Sequence, residues 1–119
     1  MRVLIVKESP RVARLWRSHL LRQGHQVYLA CSQAKAVQLL RENLVDIIVL
    51  DLMMGSGSAF AVADFSAYRQ PDTKVIFVTN STFFSDGSIF QHIPNACAVM
   101  PSEVQPEDLG ALVEHYGAH

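Results

Sequence analysis

The chain has 119 residues, half of them hydrophobic, with ten Lys and Arg against eleven Asp and Glu for a formal net charge of −1. That is enough for one core of ordinary size without metal or disulfide support. Cations form no long run, no apolar stretch approaches the roughly 20 residues of a membrane helix, and the run Met1 to Val6 is too short for a signal peptide, so nucleic acid and membrane are not expected partners and a cytoplasmic protein is expected.

Val3-Leu4-Ile5-Val6 is a continuous apolar run of strand length. Ser9 then offers an N-cap and Pro10 a first helical residue. Val12, Leu15, Trp16, His19 and Leu20 follow at helical spacing, and Gly24 is a natural stop. Val27-Tyr28-Leu29-Ala30 predicts a second strand, and Ser32 caps a second helix with Ala36, Val37 and Leu40 on its inner face. Ile47-Ile48-Val49-Leu50 is the clearest buried strand and runs straight into Asp51. Gly55-Ser56-Gly57-Ser58 is a loop by composition, and a third helix is expected from near Ser58 to a point before Pro71. Val75-Ile76-Phe77-Val78 predicts a fourth strand ending at Thr79. Between Asn80 and Asn95, Gly87 and Pro94 leave room only for a short helix. Ala96 to Met100 reads as a fifth strand. Pro106-Glu107-Asp108 opens a last helix with acid in its first turn, which suits the helix dipole, and Leu109, Leu112, Val113 and Tyr116 make its inner stripe.

Strands that alternate with helical patterns and read as unbroken apolar runs point to a parallel α/β sheet covered on both faces. Ligands in such sheets bind beyond the carboxyl ends of the strands. The polar residues at those ends are Lys7, Glu8, Asp51, Thr79 and Ser102.

Each of these has a plain reading beside the chemical one. An aspartate at a strand end serves to cap the following turn, and Lys7 and Glu8 read equally as solvated loop charges. The Gly-Ser loop before a helix is suited to cradle an anion, but it is not a full phosphate-binding motif, and a flexible loop is the simpler account. The five histidines form no convincing metal set; His115 and His119 have i, i+4 spacing at a chain end, and His19 is expected to border the core. Cys31 and Cys97 lie far apart in the sequence, and two free thiols are the plain reading. Phe83, Phe84 and Phe90 crowd the region before the fifth strand. A core role suits Phe90. Two adjacent phenylalanines do not easily both point inward, so all three are candidate interface residues, with Phe83 and Phe84 the stronger anchors.

The strand-end residues carry a family resemblance that covers essentially the whole chain. Val45-Asp46-Ile47-Ile48-Val49-Leu50-Asp51-Leu52-Met53-Met54 resembles the segment around the phosphoacceptor aspartate of response-regulator receiver domains. Val75 to Thr79 resembles their fourth strand with its phosphate-contacting hydroxyl, and Pro106-Glu107-Asp108-Leu109 the start of their last helix. The resemblance implies a single receiver domain over residues 1–119. It implies a flavodoxin-like doubly wound sheet of five parallel strands, order 2-1-3-4-5, with helices on both faces. It also implies a role in two-component phosphorelay signalling rather than enzymatic activity.

The family's chemistry uses two acids after the first strand to hold Mg²⁺ and an aspartate after the third as nucleophile. A hydroxyl after the fourth strand and a lysine after the fifth contact the phosphoryl oxygens. On this chain Asp51 stands at the acceptor position, Thr79 at the hydroxyl position and Glu8 at the second acid position. Lys7 replaces the first acid, Ser102 the lysine, Glu103 the following proline, Val99 the aromatic switch residue and Gly55 a frequent proline. An ammonium in the metal site repels Mg²⁺ and supplies no oxygen, whereas Mg²⁺ demands near-ideal octahedral oxygen ligation. Lys7 is therefore expected within about 4 Å of Asp51 or Glu8. No cofactor or metal is expected; Mg²⁺, held by Glu8 and Asp51, belongs to the alternative of a conventional phosphoacceptor. The favoured expectation is a degenerate receiver that acts by binding a signalling protein, a histidine kinase or an effector, or by self-association. A second alternative is an anion- or small-molecule-binding module built on the Gly-Ser loop.

Overall fold

The unbroken apolar runs form the inner strands of one sheet. In the computed structural model, which describes residues 1–53, 57–80 and 93–117, the order of elements is β1 (Arg2–Val6), α1 (Pro10–Arg22), β2 (Gln26–Ala30), α2 (Gln33–Glu42), β3 (Ile47–Asp51), α3 (Ala59–Arg69), β4 (Lys74–Thr79), β5 (Ala96–Pro101) and α4 (Pro106–Gly117). All neighbouring strands are parallel and the order is β2-β1-β3-β4-β5, as expected for the doubly wound fold. Side chains alternate between the two sheet faces. Leu4, Val6, Ile48, Leu50, Val75 and Phe77 pack with Ala36 and Leu40 of α2 and Ala59, Val62 and Ala63 of α3. Val3, Ile5, Ile47, Val49, Ile76 and Val78 pack with Ala13, Trp16 and Leu20 of α1 and Leu109 and Val113 of α4. Burial on both sides explains why these strands show no polar alternation.

The predicted helix boundaries follow local chemistry, with two corrections. Ser32 and Ser58 accept backbone N–H bonds from Lys35 and Ala61 and so cap α2 and α3. Ser9 holds the N-cap position of α1, but its hydroxyl makes no capping bond; Pro10 sets the first turn. Leu15, spaced with the apolar set of α1, is 57% exposed. The inner stripe runs instead through Ala13, Trp16 and Leu20, which pack in one cluster with the sheet. Gly24 takes φ +93°, a conformation open to glycine, and turns the chain from α1 into β2.

Beneath the sheet, Gln70 ties two connections together. Its amide accepts from the Val45 N–H at 2.8 Å and donates to the carbonyls of Leu40 at 2.8 Å and Asn43 at 2.7 Å. Those bonds fix how β3 enters the sheet and therefore where Asp51 emerges.

Candidate functional site

β1 and β3 are neighbours, with Val6 opposite Leu50. One step further along each strand, Lys7 and Asp51 emerge side by side. The next step of alternation turns both toward the α1–α4 face. There the Lys7 Nζ lies 3.3 Å from Asp51 Oδ2 and 5.3 Å from the centre of the Trp16 ring. Both side chains are largely buried, at 8% and 9% exposure. A lysine ammonium over an indole face gains a cation–π attraction, so Trp16 and Asp51 hold the cation from two sides. The main chain adds a third hold: the Lys7 N–H donates to the Ala30 carbonyl at 3.0 Å.

Among the described residues Asp51 meets two partners. Oδ2 meets the ammonium, and Oδ1 accepts the Met53 N–H at 2.9 Å. The second bond is the aspartate turn cap of the plain reading, so capping and charge pairing coexist. Glu8 is exposed. The pairing foreseen for Lys7 is therefore realised with Asp51.

Thr79 and Ser102 complete the strand-end row. Val78 is the β4 partner of Asp51, and Thr79 follows it. Both Thr79 and Ser102 are buried, and the Ser102 N–H donates to the Thr79 carbonyl at 3.1 Å. Val99 pairs with Phe77 across β4 and β5 and packs, partly buried, against the α2–α3 side of the core. Lys7, Asp51, Thr79 and Ser102 thus stand together at the carboxyl end of the sheet.

Sequence reasoning missed Trp16 as a member of the site. The Trp16 Nε1–H donates to the Val104 carbonyl at 3.0 Å, and Val104 lies in the connection between β5 and α4. The indole therefore joins the underside of Lys7 to the segment that follows Ser102. The available signal was chemical: a buried indole N–H needs an acceptor, and Trp16 is the only tryptophan.

The described part of the Gly-Ser loop is occupied from within. Gln33 Oε1 accepts the Ser58 N–H at 2.8 Å, and a Cβ on Gly57 would come within 2.6 Å of that oxygen. Gly55 and Ser56 lie outside the described residues, as do the candidate interface residues Phe83, Phe84 and Phe90, and His119.

As a seat for Mg²⁺ the arrangement is a poor fit. Asp51, one of the two carboxylates that would hold such an ion, already faces a buried ammonium. An added dication there meets like charge at close range in a medium of low dielectric. Among the described residues no three His, Cys, Asp or Glu side chains gather as a metal set. Among them, too, no helix is long and apolar enough to cross a membrane.

Comparison with known proteins accords with this fold. The model of the response regulator receiver domain matches residues 3–88. No curated protein matches. A CheY-like response regulator receiver domain protein from Methanospirillum hungatei superposes with a TM-score of 0.89 at 17% identity, covering 98% of this chain and 93% of its own. The non-phosphorylated HemR receiver domain of Leptospira biflexa gives 0.87 at 20% identity, covering 99% and 94%. The N-terminal domain of a response regulator/sensory box/GGDEF protein from Carboxydothermus hydrogenoformans gives 0.85 at 21%, with 99% and 94% covered. At these identities the likeness is one of fold.

Proposed function

The chain belongs to the response regulator receiver domain family, and from that membership we propose that residues 1–119 form one degenerate receiver, acting by protein–protein contact with weak or no phosphorylation. One observation carries the reading: the Lys7 ammonium lies 3.3 Å from Asp51 Oδ2, in largely buried surroundings. A carboxylate held in such a pair is a weakened nucleophile, since attack on phosphorus must first pull it away from a cation that has no water to replace it. The charge that develops on a transferring phosphoryl group also lacks the ammonium the family places after its fifth strand, because Ser102 stands where the family has lysine. No step through Mg²⁺ follows from these residues, and no enzymatic role is assigned. The partner is a signalling protein, for which Phe83 and Phe84 remain the sequence's candidate anchors.

The test is the mass of the intact protein after incubation with acetyl phosphate and Mg²⁺. The expected result is no gain of about 80 Da, one phosphoryl group. A stoichiometric gain, abolished in Asp51→Asn, would establish the conventional phosphoacceptor instead. The pair Lys7→Asp with Ser102→Lys restores both charges of the family pattern and should gain metal-dependent phosphorylation. If it stays inert while folded, the two charge changes do not explain the loss.

A further inference from the structure

The net charge of −1 conceals a sharp division on one face of the molecule. α1 carries Arg11, Arg14, Arg17 and Arg22 and no acid. The segment from Glu103 through α4 carries Glu103, Glu107, Asp108 and Glu114 and no Lys or Arg. The two helices lie side by side on the same sheet face and close tightly enough that a Cβ on Gly110 would meet the His19 ring at 2.8 Å. Their opposite charges nevertheless do not pair with each other. Among the described residues, the charged groups of Arg11, Arg14, Arg22, Glu107 and Asp108 have no ion-pair partner, and Glu114 pairs with His25. Both helices turn these residues outward. On α1, Arg11, Arg14, Leu15, Ser18, Leu21 and Arg22 are exposed at i, i+3, i+4, i+7, i+10 and i+11, one continuous stripe opposite the buried Ala13, Trp16 and Leu20. On α4, Glu107, Asp108, Ala111, Glu114 and His115 form the matching outer stripe.

We propose that this two-helix face is a self-complementary interface, on which a second copy of the chain docks with its α1 over α4 and its α4 over α1. Charge selects the symmetry. A two-fold axis running along the helices sets each basic α1 on the partner copy's acidic α4, twice. A two-fold axis across the helices would stack α1 on α1 and oppose the arginines. Length and register agree with the first arrangement. Both helices begin at the carboxyl ends of strands, with Pro10 and Pro106, and have 13 and 12 residues. Arg11 and Glu107 are both second residues, and the exposed Leu15 and the small Ala111 are both sixth. Leu15 and Leu21, 57% and 50% exposed, supply the apolar contact that charge alone does not. Each helix is about 20 Å long and about 10 Å wide, so the buried surface falls at the low end of specific interfaces, near 1,200 Å² in total. The dimer is therefore a weak and salt-sensitive one. It goes beyond the proposed function and does not depend on whether Asp51 accepts phosphate.

Sedimentation equilibrium tests it, on the wild-type chain at about 50 mM and about 500 mM salt, where exposed charges are weakly and strongly screened. Dimer formation at the lower salt, weakened at least tenfold at the higher, is expected. Arg11→Glu with Arg14→Glu, and separately Glu107→Lys with Asp108→Lys, should each be monomeric, and an equimolar mixture of the two should associate again. Leu15→Glu, at an exposed position, should abolish association with unchanged circular dichroism, and keeps the test decisive should a double variant fold poorly. A wild type that stays monomeric at low salt, association that survives Leu15→Glu, or folded swap variants that fail to associate when mixed would each overturn the interface. None of these results bears on the phosphorylation assay, so the two readings fail separately.

Discussion

Replacing Lys7 with methionine removes the ammonium, keeps most of the side-chain volume and leaves Asp51 buried beside an apolar group. At 3.3 Å the direct attraction is about 5 kcal/mol for an effective dielectric near 20, and about 1.3 kcal/mol if water reached the pair freely. Burial places the pair nearer the first figure. The Met53 N–H still holds Oδ1 at 2.9 Å, which offsets part of the loss. The cation–π contact with Trp16 also disappears. A net cost of about 3 kcal/mol follows, in line with removing one partner of a buried pair; for a domain of this size that lowers the melting temperature by about 10 °C. Urea unfolding and thermal melts measure it. Lys7→Met with Asp51→Asn removes both charges, keeps an oxygen for the Met53 N–H and should recover most of the loss, because a buried pair contributes little beyond a neutral substitute. A single variant that loses under about 0.5 kcal/mol would show that the pair is solvated, and the argument that Asp51 is a restrained nucleophile would fall with it.

Trp16→Phe should lose about 1–3 kcal/mol in urea unfolding, since the Val104 carbonyl is left without its buried donor; a neutral result would mean that the bond is dispensable. Gly57→Ala should cost about 1–2 kcal/mol for its φ of +122° and its clash with Gln33, and more than Gly24→Ala, where φ is +93° but nothing lies within 4 Å of the added carbon; equal losses would count against the packing of Gln33 into that turn. Burial lifts the Cys97 thiol from 9.0 to about 11, against an opposing pull from Lys74. Iodoacetamide at pH 8 should therefore modify the exposed Cys31 well before Cys97, which holds only about one thiolate in a thousand. Because the folded state keeps that proton longer than the unfolded chain, this group's contribution to stability is complete below pH 9.0 and declines as pH rises toward 11; equal alkylation rates would refute the burial of Cys97.

The fold was legible because its strands are buried on both faces. Val3 to Val6, Ile47 to Leu50 and Val75 to Val78 need no alternation to be recognised, and each is bounded on both sides by polar residues. The strand-end row was legible for the same reason, since a strand that stops fixes where Lys7, Asp51 and Thr79 emerge. Periodicity went wrong at α1, where Leu15 and Ala13 compete for the inner face. Leucine is the more apolar, but the bulk of Trp16 favours a small neighbour against the sheet, and only packing reveals that choice. The Trp16–Val104 bond spans 88 positions and rests on a main-chain acceptor, which has no sequence signature. The division of charge between α1 and α4 was visible residue by residue, but its meaning depends on two helices 84 positions apart in the chain (Arg22 to Pro106) sharing one face.

An aspartate at the end of β3 does not by itself argue for phosphorylation. In this structure the side chain has two tasks that a non-reacting aspartate performs as well: Oδ1 caps the turn at Met53 and Oδ2 neutralises Lys7. Replacing it with a neutral residue would leave a buried ammonium between Trp16 and an uncapped turn, so loss of the carboxylate is penalised even where no phosphate is ever transferred. Lys7 is held in turn by the indole, by Asp51 and by its own N–H on Ala30. Each of the two charges gives the other its reason to be buried. The pair is thus a structural unit in its own right, built from two residues that one step beyond β1 and β3 brings together.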